Sequence, residues 1–436
     1  MRRDKNMDKK QEIQDEVQLI QDLFDGIDNG DFNNFGETSD KYTFKYLKAI
    51  WDLQTVLDGG KELYKQIYEI AIKCGIRHVQ QKYKTGRKIK VAFLTISAAE
   101  WPAESVYRLL KMNENVEAYL VVGPLIDRSV ENMEDAFEKT ASFFEKRGYD
   151  VRRAYDSKNK KVRLWEEIGK PDIVIHLTHW YKSLPEEYQI ENYPFTILNC
   201  YIPYAMSLAD NAKGTFMINS SNNSMFLNMM WHIYTDTMYH YEGYREYQLL
   251  GGENVVFTGF PKMDFFYNKI ENTSDQLMLM ANWKYPTGCD PKNMKKVIIA
   301  PHHTFLGYGG ILYSTFQWNM YFWIYLAKKY ENQISFIFKP HPNLRTRAIE
   351  AEVFRDAGDY ERYIDLWEKL PNARVSAEES YLEIFATSDG MIMDSNSFLA
   401  EYMYVNKPLL FLTREEQTFN KLGRSIVDTY CLLYTS

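Results

Sequence analysis

Histidine changes charge nearest neutral pH and so moves protons or meets phosphate readily. This chain of 436 residues has eight. Several follow apolar runs that read as buried strands. His341 comes after the run 334–339, as Lys339-Pro340-His341-Pro342. Two prolines fix the backbone around that single imidazole. Held so, it can donate to a phosphate oxygen as charge builds on a leaving group. Lys339 either adds positive charge or is merely solvated. His302-His303 follows the run 296–300 through Pro301. One of the pair can face a phosphate or nucleoside. A metal is disfavoured, because no acidic ligand is near in sequence and adjacent side chains tend to point apart. His179, in Thr178-His179-Trp180 after the run 172–177, is a candidate general base or a plain loop residue. Trp180, Tyr201 and Tyr204, also beyond strand ends, and the turn Gly259–Asp264 with Lys262 and Asp264, are candidates to touch a second substrate.

The stretch 388–412, SDGMIMDSNSFLAEYMYVNKPLLFL, organises these candidates. Residues 390–393 read as a short buried strand, and Asp394-Ser395-Asn396-Ser397 as a helix start. Residues 398–404 read as a helix and 409–412 as a second strand, one βαβ unit of a parallel sheet. Its turn points backbone N–H groups and the positive end of a helix dipole outward, a natural seat for phosphate. A plain N-cap explains the same residues. Glu401, near the second helical turn, can bridge two ribose hydroxyls or be an exposed helix glutamate.

Composition narrows the classes. Net charge is −7, which disfavours a nucleic-acid surface. The four cysteines show no CxxC, which argues against zinc or a disulfide framework and for the cytoplasm. No apolar run is long enough to span a bilayer, and the start has no signal-like apolar core. Residues 316–327 read as a buried helix, with membrane-surface contact a lesser alternative.

The elements that must position the candidates follow. Residues 1–87 read as a helical extension that either packs on the first domain or mediates self-association. In it Ile13, Val17, Ile20 and Leu23 form an amphipathic pattern, and residues 25–40 a loop. Residues 88–268 alternate strand and helix, with a helix expected over 225–235. Residues 269–293 read as a linker, and alternation resumes over 294–436. The expected class is α/β, with two Rossmann-like doubly wound domains facing a central cleft (a GT-B architecture). The short tail ending CLLYTS suggests truncation.

These motifs together resemble the CDP-glycerol glycerophosphotransferase family, GT-B enzymes that build teichoic-acid-type polymers. Its AP-T, K-HP and DYSS-plus-acid motifs match Ala300-Pro301, Lys339 to Pro342, and Asp394 to Ser397 with Glu401. Its G-P-D turn matches Gly259, Pro261 and Asp264, and residues 90–110 look like its divergent members. The resemblance implies transfer of an alditol phosphate, glycerol phosphate first, from a CDP-linked donor to a glycan or lipid-linked hydroxyl. It implies no metal or other cofactor, and peripheral contact with the inner face of the membrane. His302, His303, Lys339, His341, Asp394, Ser395, Asn396, Ser397 and Glu401 would form the donor side. His341 and Ser397 would meet the diphosphate and Glu401 the ribose. Two departures stand out. The family's WHGTP histidine has no counterpart in Cys200–Tyr204, so the base is missing, relocated to His179 or unnecessary, and Asn396 replaces the first serine of the pair. Uridine-sugar epimerases and transferases with similar motifs, and a non-catalytic scaffold, are the rival readings.

Overall fold

The structure, a computed structural model, describes residues 17–19, 21–26, 40–55, 59–127, 129–211, 214, 217–267, 282–306, 311–376 and 381–431. Parts of the amphipathic pattern near Ile13 and Ile20, most of the loop 25–40, part of the linker and the last five residues lie outside these. The chain divides into two compact units, residues 1–204 with 222–262, and residues 205–221 with 263–436.

Strands of the first unit are β1 (Ile89–Thr95), β2 (Val116–Val122), β3 (Val151–Arg153), β6 (Ile173–His176), β7 (Leu198–Tyr201), β8 (His232–Thr235) and β9 (Val255–Phe257). They form one sheet in the order β3-β2-β1-β6-β7-β8-β9, every pair parallel. A small antiparallel pair, β4 (Tyr155–Asp156) and β5 (Lys161–Val162), stands apart. A parallel sheet needs cover on both faces, so its strands are apolar on both. On β1 and β2, Ala92, Leu94, Tyr119 and Val121 enter one core with Tyr64, Ile67 and Ala71 of the helix Gly60–Lys84. Val91, Phe93, Ala118, Leu120 and Val122 enter the other with Tyr107, Phe137 and Phe144. The N-terminal helices therefore supply one helical layer of the first sheet. Lys82 and His78 pin the long helix to the buried carboxylate of Asp172, just before β6.

The helix expected over 225–235 is corrected. Only Met225–Asn228 is helical, and β8 follows at once. The carbonyl of Met230 accepts instead from Tyr68 Oη at 2.7 Å and Asn254 Nδ2 at 2.9 Å, so the helical ladder stops there. A short apolar run fits either period until its neighbours choose.

The second unit holds β10 (Lys295–Ala300), β11 (Ile334–Phe338), β12 (Ala373–Val375), β13 (Gly390–Met393) and β14 (Leu409–Phe411), in the order β12-β11-β10-β13-β14, again all parallel. One face is packed by Phe316, Trp323, Phe338, Tyr363 and Trp367. The α/β class with two doubly wound parallel sheets is thus what the chain adopts. No helix among the described residues is long and apolar enough to cross a membrane.

Candidate functional site

Ligands of open parallel sheets collect beyond the carboxyl ends of strands, where the strand order reverses. In the second unit that point lies between β10 and β13. β10 runs out into Pro301-His302-His303, β13 into Asp394-Ser395-Asn396-Ser397, and neighbouring β11 into Lys339-Pro340-His341. The motifs singled out in the sequence therefore share one sheet edge.

Asp394 ties that edge together. Its buried carboxylate accepts from the N–H of His302 at 2.5 Å, and from the N–H and hydroxyl of Thr315 at 2.5 and 2.9 Å. Burial pushes this carboxyl up to about 6, against the pull of those donors. The expectation that Asp394 touches a diphosphate is corrected: both its oxygens are engaged internally, and its charge would repel phosphate. It is a brace that positions His302 and the start of the helix Phe316–Lys329. Ser395 precedes the helix Asn396–Met403 but its side chain makes no capping bond. Asn396 and Ser397, at that helix start, are half-buried.

Three imidazoles gather beside this brace. The rings of His303 and His341 stack with centroids 3.8 Å apart, and His302 and His303 lie 4.4 Å apart. The idea that the adjacent pair points apart is thereby overturned, since the turn after Pro301 turns both rings to one cluster. Their ligating nitrogens fall within 4.8 Å of one another. The tautomer decides what such a cluster can do. The N–H of Asn343 donates to His341 Nδ1 at 3.1 Å, so the neutral ring carries its proton on Nε2. His341 therefore presents an N–H, suited to a phosphate oxygen rather than to a metal. His303 Nδ1 is buried with no hydrogen-bond partner among the described residues. Lys339 is buried at the end of β11.

Burial holds His303 down at about 4, helped by the charge of Arg347. It holds His302 and His341 well below the usual imidazole range, helped by the neighbouring histidines and, for His341, by Lys339. The cluster is thus neutral beside the positive charges of Lys339 and Arg347, and a bound diphosphate would favour its protonated form. Arg347, in the helix Leu344–Glu350, was not singled out in the sequence. Glu401 is neither exposed nor open to a ribose here: it is 1% exposed and accepts from the hydroxyl of Tyr381.

In the first unit the order reverses between β1 and β6. His179 follows β6, and its Nδ1 lies 3.4 Å from the hydroxyl of Tyr201 at the end of β7. Its ring lies 4.2 Å from Trp180 and stacks at 6.3 Å on Tyr204. The structure therefore brings His179, Trp180, Tyr201 and Tyr204 together. Burial lowers His179 to about 4, so it is neutral at pH 7. Lys262 is buried, its Nζ 3.4 Å from the carbonyl of Ala99 beyond β1. Asp264 is exposed at the start of the short helix Asp264–Tyr267. A buried pair beyond β8 was missed: His240 Nδ1 lies 2.5 Å from Asp236 Oδ1. The signal was present as Asp236 beside Thr237, which caps the helix Met238–Tyr247, with His240 one turn on from Asp236.

These shifts predict a direction for stability against pH. A histidine depressed on folding stabilises fully above its unfolded value of 6.5, and that contribution is lost as pH falls toward 4 for His176, His179 and His303. His302 and His341 act in the same sense. Asp394, raised from 3.8 to about 6, acts oppositely: its contribution is full below 3.8 and lost as pH rises through 6. Five groups outweigh one, so the thermal midpoint falls between about pH 7 and about pH 5. A midpoint that rises over that interval would contradict these environments.

Residues 245–431 match the sequence model of the family described as CDP-Glycerol:Poly(glycerophosphate) glycerophosphotransferase. The teichoic acid poly(ribitol-phosphate) polymerase of Bacillus spizizenii is 26% identical over 161 residues, covering 37% of this chain and 22% of that protein. The chain thus spans about a fifth of that curated relative. Among solved structures, the wall teichoic acid polymerase TagF soaked with CDPG aligns at 12% identity and TM-score 0.48, covering 85% of this chain and 87% of that one. The UDP-GlcNAc 2-epimerase of Neisseria meningitidis aligns at 15% identity and TM-score 0.42, covering 79% and 91%. Residues 245–431, which hold the histidine cluster and its brace, are similar in sequence to the CDP-glycerol glycerophosphotransferases.

Proposed function

We propose that this chain transfers an alditol phosphate, glycerol phosphate first among candidates, from a CDP-linked donor to a hydroxyl of a glycan or lipid-linked acceptor. The observation that carries this is the Nε2–H of His341, set among His302, His303 and Lys339 beside the helix start at Asn396. It lies within the residues that match the family. The acceptor oxygen attacks the alditol-bearing phosphorus. A new P–O bond forms, the bridging P–O bond breaks, and CMP leaves. The hydroxyl proton passes to a base. His341, Ser397 and the helix dipole stabilise the charge that grows on the leaving phosphate. These groups supply hydrogen-bond donors and the positive end of a helix dipole to that charge. The site would act at the inner face of the membrane.

A thermal-shift panel tests this reading. CDP-glycerol at about 100 times its dissociation constant should add about 2.7 kcal/mol of stability. CDP-ribitol or CMP stabilising equally leaves the alditol open but keeps the cytidine donor. UDP-N-acetylglucosamine or UDP stabilising in their place moves the reading to sugar chemistry. No response to any of them, in folded protein, points to a scaffold.

A further inference from the structure

The three clustered imidazoles have different hydrogen bonds, and the difference says which of them can gain a proton. His341 is committed. Its Nδ1 accepts from the N–H of Asn343 at 3.1 Å, so a proton placed there would set two donors against each other. His302 is enclosed. It is buried, with its backbone N–H on Asp394 and its Nδ1 2.9 Å from the hydroxyl of Thr304, which also accepts from the N–H of Tyr313. Its ring packs 5.6 Å from that of Tyr313, so a charge there is the costliest of the three to desolvate. His303 differs. The residue is half-buried, yet its Nδ1 is buried and has no hydrogen-bond partner. A buried ring nitrogen in that state costs stability until a partner arrives.

The surroundings decide what kind of partner. The ring of His303 stacks on His341 at 3.8 Å and lies 4.4 Å from His302. Lys339 is buried beyond β11, and Arg347, paired with Glu350, lies on the next helix. Asp394, the buried acid of this edge, is engaged by His302 and Thr315. A proton on His303 therefore meets two fixed positive charges and no carboxylate of its own. Burial and Arg347 hold the ring at about 4, neutral at pH 7. A diphosphate diester carries two negative charges near neutral pH. An oxygen of it at Nδ1 supplies both an acceptor and a counter-charge.

We propose that His303 takes a proton from solvent when a diphosphate diester enters this cluster, and holds one phosphate oxygen through the Nδ1–H so formed. This rests on the donor reading given above, and adds that the donor itself creates part of the charge that binds it. The sign follows. Below about 4 the free ring is already charged and gains nothing. Between that value and the higher one of the bound ring, affinity rises as pH falls, by up to about tenfold per pH unit.

Calorimetric titration of the full chain with CDP-glycerol at about pH 6.5, in PIPES and in Bis-Tris, reads this proton. Each proton gained is drawn from a buffer, and the two buffers differ in heat of ionisation. CDP-glycerol has no group of its own that titrates there. The parent takes up about half to one proton per donor bound. His303→Asn sets an amide N–H near the place of Nδ1 with no proton to gain, so it binds within about fivefold of the parent and shows no uptake. His341→Gln binds more weakly but still takes up the proton. The inference fails, with the donor reading intact, if CDP-glycerol binds the parent with the same heat in both buffers. It fails equally if a folded His303→Asn variant takes up as many protons as the parent. If CDP-glycerol does not bind, UDP-N-acetylglucosamine, also a diphosphate diester, takes its place. Uptake with that ligand keeps the proton on His303 and overturns the cytidine donor, whereas binding of neither overturns both.

Discussion

Alanine at position 341 lowers CMP release from CDP-glycerol by about a hundredfold or more, with little change in thermal midpoint. The half-buried imidazole lies at a sheet edge and not among the large apolar side chains of the core, so the fold has little to lose. What is lost is one fixed donor. The backbone N–H of Asn343 fills Nδ1, which forces the neutral ring to offer Nε2–H outward. A donor aimed where charge develops is worth far more in the transition state than in the ground state, so turnover should fall more than donor affinity. His341→Gln keeps an N–H near the same place and should recover part of the loss. Activity of the alanine variant within about threefold of the parent would remove His341 from the mechanism.

Asp394→Ala is expected to be costly to the fold rather than to donor binding alone. The carboxylate satisfies two backbone N–H groups and one hydroxyl, all buried. Its removal orphans all three. Each such group costs about 1–3 kcal/mol, so a total near 3–5 kcal/mol is expected after some water enters. For a unit of this size that corresponds to a midpoint lower by about 10 °C. Asp394→Asn keeps one acceptor and should fall between. A variant whose midpoint stays within about 2 °C of the parent, yet which no longer binds CDP-glycerol, would make Asp394 a ligand contact and not a brace.

The two αβ alternations were legible because their signals are local. Apolar runs near 90–96, 116–122, 296–300, 334–339 and 390–393 became β1, β2, β10, β11 and β13, with ends shifted by one residue at most. Local too were the prolines around His341 and the polar turn before the helix Asn396–Met403, so these motifs could be placed at strand ends. The run through 225–235 failed for the complementary reason. Its fate hung on Tyr68 and Asn254, distant in sequence, claiming the carbonyl of Met230.

Residue types and their order along the chain determined the class of fold and the strand ends at which the candidate residues sit. Roles within the site were decided by contacts far apart in sequence. Asp394 and Glu401 read as ligand contacts from their positions alone. Folding turns both inward, Asp394 to residues 92 and 79 positions away and Glu401 to Tyr381. His302 and His303 read as a pair of uncertain direction, and only the return of β11 beside β10 sets His341 against them. A carboxylate's neighbours and an imidazole's tautomer depend on which backbone groups arrive beside it. The sheet order settles that, and no local pattern of residues records it.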